Sequence, residues 1–128
     1  MASTAPAVER DEVSFRLNEF VIDCRDPQQL ARFWNATLGY EVCEWDGDFA
    51  AIEDPDGSGP TICFQKVAED KLSKNRIHFD LDVPEGTLEA AIARLVGLGA
   101  RRVNVGQRDD CSWAVMADPE GNEFCVVA

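Results

Sequence analysis

A chain of 128 residues, 45% apolar and 28% charged, has the size and composition of one globular domain with a real core. Its formal net charge of −12 argues against nucleic acid or an anionic membrane as partner, because both would be repelled; a cation, a cationic ligand or plain solubility suits it better. Cysteines 24, 43, 63, 111 and 125 are odd in number and contain no C-x-x-C pair, so no disulfide framework or structural zinc site is expected and the compartment should be reducing, hence cytoplasmic.

Residues 1–14 read as a flexible tail, since MASTAPAVERDE has neither the basic nor the apolar region of a secretory signal. From Leu17 to Cys24 alternation predicts a strand, with Phe20, Ile22 and Cys24 on one face and Glu19, Val21 and Asp23 on the other. Asp26 and Pro27 predict the cap and first turn of a helix. Leu30, Phe33, Trp34 and Leu38 form its apolar stripe, and Gly39 supplies its left-handed stop. Strands near Tyr40–Trp45, Phe49–Glu53 and Thr61–Val67 complete a βαβββ module over about residues 17–67. The polar stretch 68–76 is a linker.

The second module, about 77–128, replays that order. A strand at Ile77–Val83 sets Phe79, Leu81 and Val83 opposite His78, Asp80 and Asp82. Thr87 is placed to cap a helix with the stripe Leu88, Ala91, Ile92, Leu95 and Leu98, closed by Gly99. Strands are expected near Arg101–Val105, Ser112–Ala117 and Glu123–Val127. Asp54-Pro55-Asp56-Gly57 before the last strand of the first module returns as Asp118-Pro119-Glu120-Gly121 before the last strand of the second. Both read as structural turns, with proline fixing one dihedral and glycine supplying a positive φ. The expected fold is α+β: two tandem βαβββ modules forming one open, cup-shaped mixed β-sheet with the helices packed outside.

The face away from the apolar stripes carries Glu19, Asp23, Cys63, Gln65, His78, Asp80, Asp82, Glu123 and Cys125. So many polar groups require water, or a ligand or ion to gather around. His78, the sole histidine, and Glu19 are the candidate catalytic groups. Asp23 and Asp80 are candidate substrate contacts, or else partners for Lys66, Lys74, Arg76 or Arg101. Trp45 and Trp113 are candidates to stack on a flat ligand, whereas Trp34 belongs to the core.

The doubled βαβββ with its Asp-Pro-[Asp/Glu]-Gly turns resembles the vicinal oxygen chelate superfamily, and more closely its bacterial glyoxalase-like domains (glyoxalase/bleomycin resistance/dioxygenase type). The stretches FQKVAEDKLSKNRIHFDLDV and WAVMADPEGNEFCVV carry most of that likeness, which covers about residues 17–128. The resemblance implies a small-molecule ligand in the cleft between the modules and a homodimer. It also implies one divalent metal ion (Zn, Ni, Mn or Fe) held at four strand positions, which fall here on Glu19, on Gln65 or alternatively Cys63, on His78 and on Cys125. Glyoxalase-type enzymes have Glu where Cys125 stands, and a thiol would not serve as base in the same way. Three functions therefore stay open: a metal-dependent lyase, isomerase or dioxygenase, a metal-free ligand-sequestering protein of the bleomycin-resistance kind, and an accessory domain that keeps the fold without the site. In either of the first two, Glu19 and His78 are expected to face a shared hollow.

Overall fold

The computed structural model describes residues 4–7, 13–103 and 112–128; Cys111 and the end of the strand expected at Arg101–Val105 lie outside them. Residues 13–18 have no regular structure, and strand β1 (Glu19–Cys24) leads into helix α1 (Pro27–Leu38). The helix starts and stops for the expected reasons. The Asp26 carboxylate accepts from Gln29 N at 3.1 Å, and Gly39, at φ 71°, donates its N–H to Asn35 O at 2.9 Å. Strands β2 (Glu41–Trp45), β3 (Phe49–Glu53) and β4 (Thr61–Lys66) complete the first module.

The second module comprises β5 (Asp80–Asp82), α2 (Leu88–Leu98), β6 (Arg101–Arg102), β7 (Trp113–Ala117) and β8 (Glu123–Val127). In both modules the first strand pairs parallel with the last, and the remaining pairs are antiparallel. The expected open mixed sheet is thus present as two four-stranded sheets, ordered β1-β4-β3-β2 and β5-β8-β7-β6.

Two local expectations need correction. Thr87 makes no side-chain cap to α2, because its hydroxyl donates instead to Pro84 O at 2.6 Å. The strand expected from Ile77 begins only at Asp80. Upstream of it the ladder is reduced to Cys125 N donating to Phe79 O at 2.8 Å, and Ile77 is 76% exposed.

One core joins the modules. Trp34 of α1 is fully buried, and its ring meets Phe79 edge-on at 5.4 Å and Phe124 of β8 at 4.9 Å. Its indole N–H donates to Asp118 Oδ2 at 3.0 Å, so the second Asp-Pro turn is bonded to the first module's helix. Glu120 of the same turn accepts from Arg25 N at 2.9 Å and Asp26 N at 2.8 Å. Gly57 and Gly121 take φ of 67° and 87°, as both turns require. The linker is tied to each side: Arg25 pairs with Asp70 at 2.5 Å and Lys71 with Glu123 at 2.6 Å, while Asn75 Nδ2 donates to Asn122 Oδ1 at 2.9 Å.

Candidate functional site

Parallel pairing decides which side chains stand side by side. In the first sheet Glu19 is opposite Thr61, Val21 opposite Cys63, and Asp23 opposite Gln65. In the second, Asp80 is opposite Cys125 and Asp82 opposite Val127, and His78 precedes Asp80 by one full strand period. The two halves therefore present equivalent trios on the face away from the core: Glu19, Val21 and Cys63 in one, His78, Asp80 and Cys125 in the other. Cys63 is the counterpart of Cys125. Gln65 lies one period further along β4, in register with Asp23 and Phe49.

The first trio is closed on itself. Cys63 is buried and donates its thiol hydrogen to Glu19 Oε2 at 2.9 Å. Burial, reinforced by that carboxylate, pushes the thiol up to about 12. The second trio converges on Asp80, which faces both His78 and the Cys125 thiol. His78 Nε2 lies 3.2 Å from Asp80 Oδ1, and the donor atoms of His78, Asp80 and Cys125 all fall within 4.8 Å of one another. Burial raises the Cys125 thiol, and the Asp80 carboxylate raises it further against an opposing effect of Lys74. Of the four ligand positions implied by the sequence, His78 and Cys125 come together, while Glu19 lies outside that group, bonded to Cys63.

A crevice of about 520 Å³ opens between β1, the linker and the turn before β8. Phe20, Ile22, Trp34, Phe79 and Phe124 wall it, and Asp23, Arg76, His78 and Glu120 are among its polar groups. Aromatic walls supply apolar contact, and a few ionisable groups are what fixes the orientation of a bound molecule. The Phe20 and Phe79 rings, one from each module, stand 6.3 Å apart. Asp118, 2% exposed, is also part of the lining. Burial raises its carboxyl above the ordinary range, against hydrogen bonds from Asn122, Trp34 and the Glu120 N–H that favour the charged form. The Cys24 thiol is pushed up to about 12, by burial first and then by Glu120, Asp26, Asp23 and Asp118.

Of the expected substrate contacts, Asp23 lines this crevice, while Asp80, Trp45 and Trp113 do not. Asp80 belongs to the trio with His78. Trp45 is 42% exposed and lies under the Arg32 guanidinium at 5.3 Å. Trp113 is half-buried on β7 opposite Val127. Sequence reasoning missed Asp118 and Glu120 as parts of the crevice. The available signal was Glu120 itself, a longer acid than Asp56 at the same place in the repeat, with the reach to cap Arg25 and Asp26.

A family model described as a glyoxalase-like domain matches residues 19–127. Among solved structures, a possible glyoxalase from Bacillus cereus superposes with a TM-score of 0.68 at 16% identity, over 90% of this chain and 100% of the other. A mutant of the fosfomycin resistance protein FosX from Listeria monocytogenes, complexed with Mn(II) and 1S,2S-dihydroxypropylphosphonic acid, gives 0.66 at 14% identity, over 91% of both chains. The bleomycin-binding protein from Streptomyces verticillus, complexed with copper(II)-bleomycin, gives 0.54 at 20% identity, over 91% and 98%. No functionally curated protein matches the chain. Among the described residues no helix is long and apolar enough to cross a membrane. With the family model spanning both modules and these neighbours sharing the fold, the chain belongs to the glyoxalase-like domain family of the vicinal oxygen chelate superfamily.

Proposed function

We propose that this protein binds a small organic molecule in the crevice between its modules. The observation that carries this reading is the crevice of about 520 Å³ with aromatic walls from both halves, a volume typical of small-molecule sites. Phe20 and Phe79 would hold an apolar or flat portion of the ligand, and Asp23 and Arg76 would orient its polar groups. Two structural neighbours hold small molecules, a phosphonic acid in one and copper(II)-bleomycin in the other. A thermal-shift panel of phosphonates, glycopeptide drugs and 2-oxoaldehyde adducts tests the reading. A true ligand raises the melting temperature and loses affinity on Ile22→Trp, which fills the crevice. A ligand indifferent to that substitution binds elsewhere and overturns the reading.

A second reading, a metal-assisted lyase, isomerase or dioxygenase, is favoured by the convergence of His78 and Cys125. A divalent ion would polarise a ligand oxygen, with His78 and Glu19 as the candidate proton-handling groups. The four family positions do not suit a hard cation. Cys125 and its counterpart Cys63 offer thiols in place of oxygen donors, and Glu19 is engaged by Cys63. If purified protein carries no Zn, Ni, Mn or Fe and none of them moves its melting temperature, the metal-assisted reading falls, and metal-free ligand binding in the thermal-shift panel then decides for sequestration. Family likeness supports a homodimer, which light scattering on the purified chain checks, and free cysteines with no C-x-x-C pair support a reducing, cytoplasmic setting.

A further inference from the structure

We infer that a thiophilic divalent ion of the zinc type is held by the second module alone, through His78, Asp80 and Cys125, rather than by four positions shared across the modules. The inference rests on the metal-assisted reading and changes its ligand set, its location and its preferred ion. Among the described residues this trio is the group of His, Cys, Asp and Glu side chains whose donor atoms converge.

Three observations support it. First, the trio is built on strands. Asp80 and Cys125 are direct register partners and His78 shares Asp80's face, so backbone pairing fixes where all three side chains start. Second, the spacing fits. A tetrahedral ion with Zn–N and Zn–O bonds of about 2.0–2.2 Å separates adjacent N and O ligands by about 3.3 Å. His78 Nε2 and Asp80 Oδ1 stand 3.2 Å apart. Cys125 Sγ lies within 4.8 Å of both, so a small approach of the thiol completes the set. Third, one sulfur, one imidazole nitrogen and one carboxylate oxygen form a mixed set that favours zinc over magnesium, calcium or manganese.

The first module supplies an internal control. It holds a thiol at the same register position, Cys63, but Val21 occupies the place of Asp80, and Glu19 accepts the thiol hydrogen. With Glu19 in the place of His78 as well as Val21 in the place of Asp80, that trio has no imidazole, and its one carboxylate and its thiol bond to each other. Three protein ligands also leave a tetrahedral ion one open position, and His78 belongs to the crevice wall as well as to the trio. An ion here would adjoin the small-molecule site without occupying it.

Cobalt(II) titration of the metal-free full chain tests this, because a cobalt–thiolate bond gives a near-ultraviolet charge-transfer band and tetrahedral cobalt gives intense visible bands. The expected result is one ion per chain with both signatures. Affinity should fall more than about tenfold in H78A, in Asp80→Val and in C125S, and stay unchanged in Glu19→Gln and C63S. His78 and Asp80 are exposed, so their variants should keep the wild-type circular dichroism spectrum and report binding alone. No cobalt uptake overturns the inference and leaves His78–Asp80 as an imidazole–carboxylate pair. Uptake without the charge-transfer band removes Cys125 as a ligand, and loss of binding in Glu19→Gln restores the cross-module set. If ligands still shift the melting temperature of the metal-free chain, the crevice reading survives any of these failures.

Discussion

The two Asp-Pro turns occupy the same place in the repeat and do different work. Asp54 is half-buried, and its carboxylate accepts from Asp56 N at 2.9 Å and lies 3.3 Å from the Ser58 hydroxyl, both within its own turn. Asp118 is 2% exposed, accepts from the Glu120 and Asn122 N–H groups, and also takes the indole N–H of Trp34 from the other module. A duplicated motif thus serves as a local turn in one copy and as an inter-module bolt in the other. What differs is whether a bulky donor from the opposite half reaches it. The crevice lies beside the bolt, so fixing the modules and shaping the cavity depend on the same residues.

The largest effect should come from cutting the bolt. Trp34→Ala removes a buried ring that touches Phe79 and Phe124, and should cost about 3–5 kcal/mol. Asp118→Ala leaves the indole and turn N–H groups without an acceptor and should cost about 2–3 kcal/mol. Asp54→Ala, whose donors can turn to water, should cost under about 1 kcal/mol. Urea denaturation of the three variants checks the order, and equal losses from the two aspartates would remove the distinction between the turns.

A second contrast sets Asp118 against Glu123. Asp118 has a folded pKa raised mainly by burial. Its contribution is therefore present at low pH and declines as pH rises from the ordinary carboxylate value through the raised one. Glu123 has the opposite sign. Burial pushes it up, but Lys71 and the Asn75 N–H together hold it below the usual glutamate range. Its contribution is present above its unfolded pKa and is lost as pH falls through the depressed folded value, so acid should loosen the linker's grip on β8. Unfolding free energies measured between about pH 3 and pH 7 should lose the acid-side decline in Lys71→Met and the neutral-side decline in Asp118→Asn. Unchanged profiles would mean that neither group titrates as its surroundings dictate.

The sequence makes the repeat legible because its punctuation is local. Asp26, Pro27 and Gly39 bound α1, and Gly57 and Gly121 mark the turns through requirements within a few residues of themselves. Everything that depends on partners across the fold was hidden. Alternation located the polar faces but could not show that two separate ladders form, because it does not say which edges pair. It left Cys63 and Gln65 as equals, and only the register of β1 on β4 makes Cys63 the counterpart of Cys125. Trp34 was assigned to the core from its helical stripe. Its bond to Asp118, 84 residues away, follows from the packing of α1 on the second module. Glu19 likewise looked free until the neighbouring strand brought Cys63 within 2.9 Å.

The smallest expected effect sharpens the contrast between the two trios. Val21 is 48% exposed and Asp80 is exposed, so exchanging their characters should alter stability by no more than about 0.5 kcal/mol in either direction. Asp80→Val takes an acceptor from His78 and a negative neighbour from Cys125, whose thiol should then become more acidic, since the aspartate is one of the causes that raise it. Val21→Asp brings a new carboxylate to Cys63, whose thiol should move further up. Thiol alkylation rates followed against pH, in chains whose other four cysteines are replaced by serine, should shift in opposite directions for the two substitutions. Shifts of the same sign would mean that burial alone governs both thiols. In that case the polar faces of the two modules, different in composition, would be equivalent in their electrostatics.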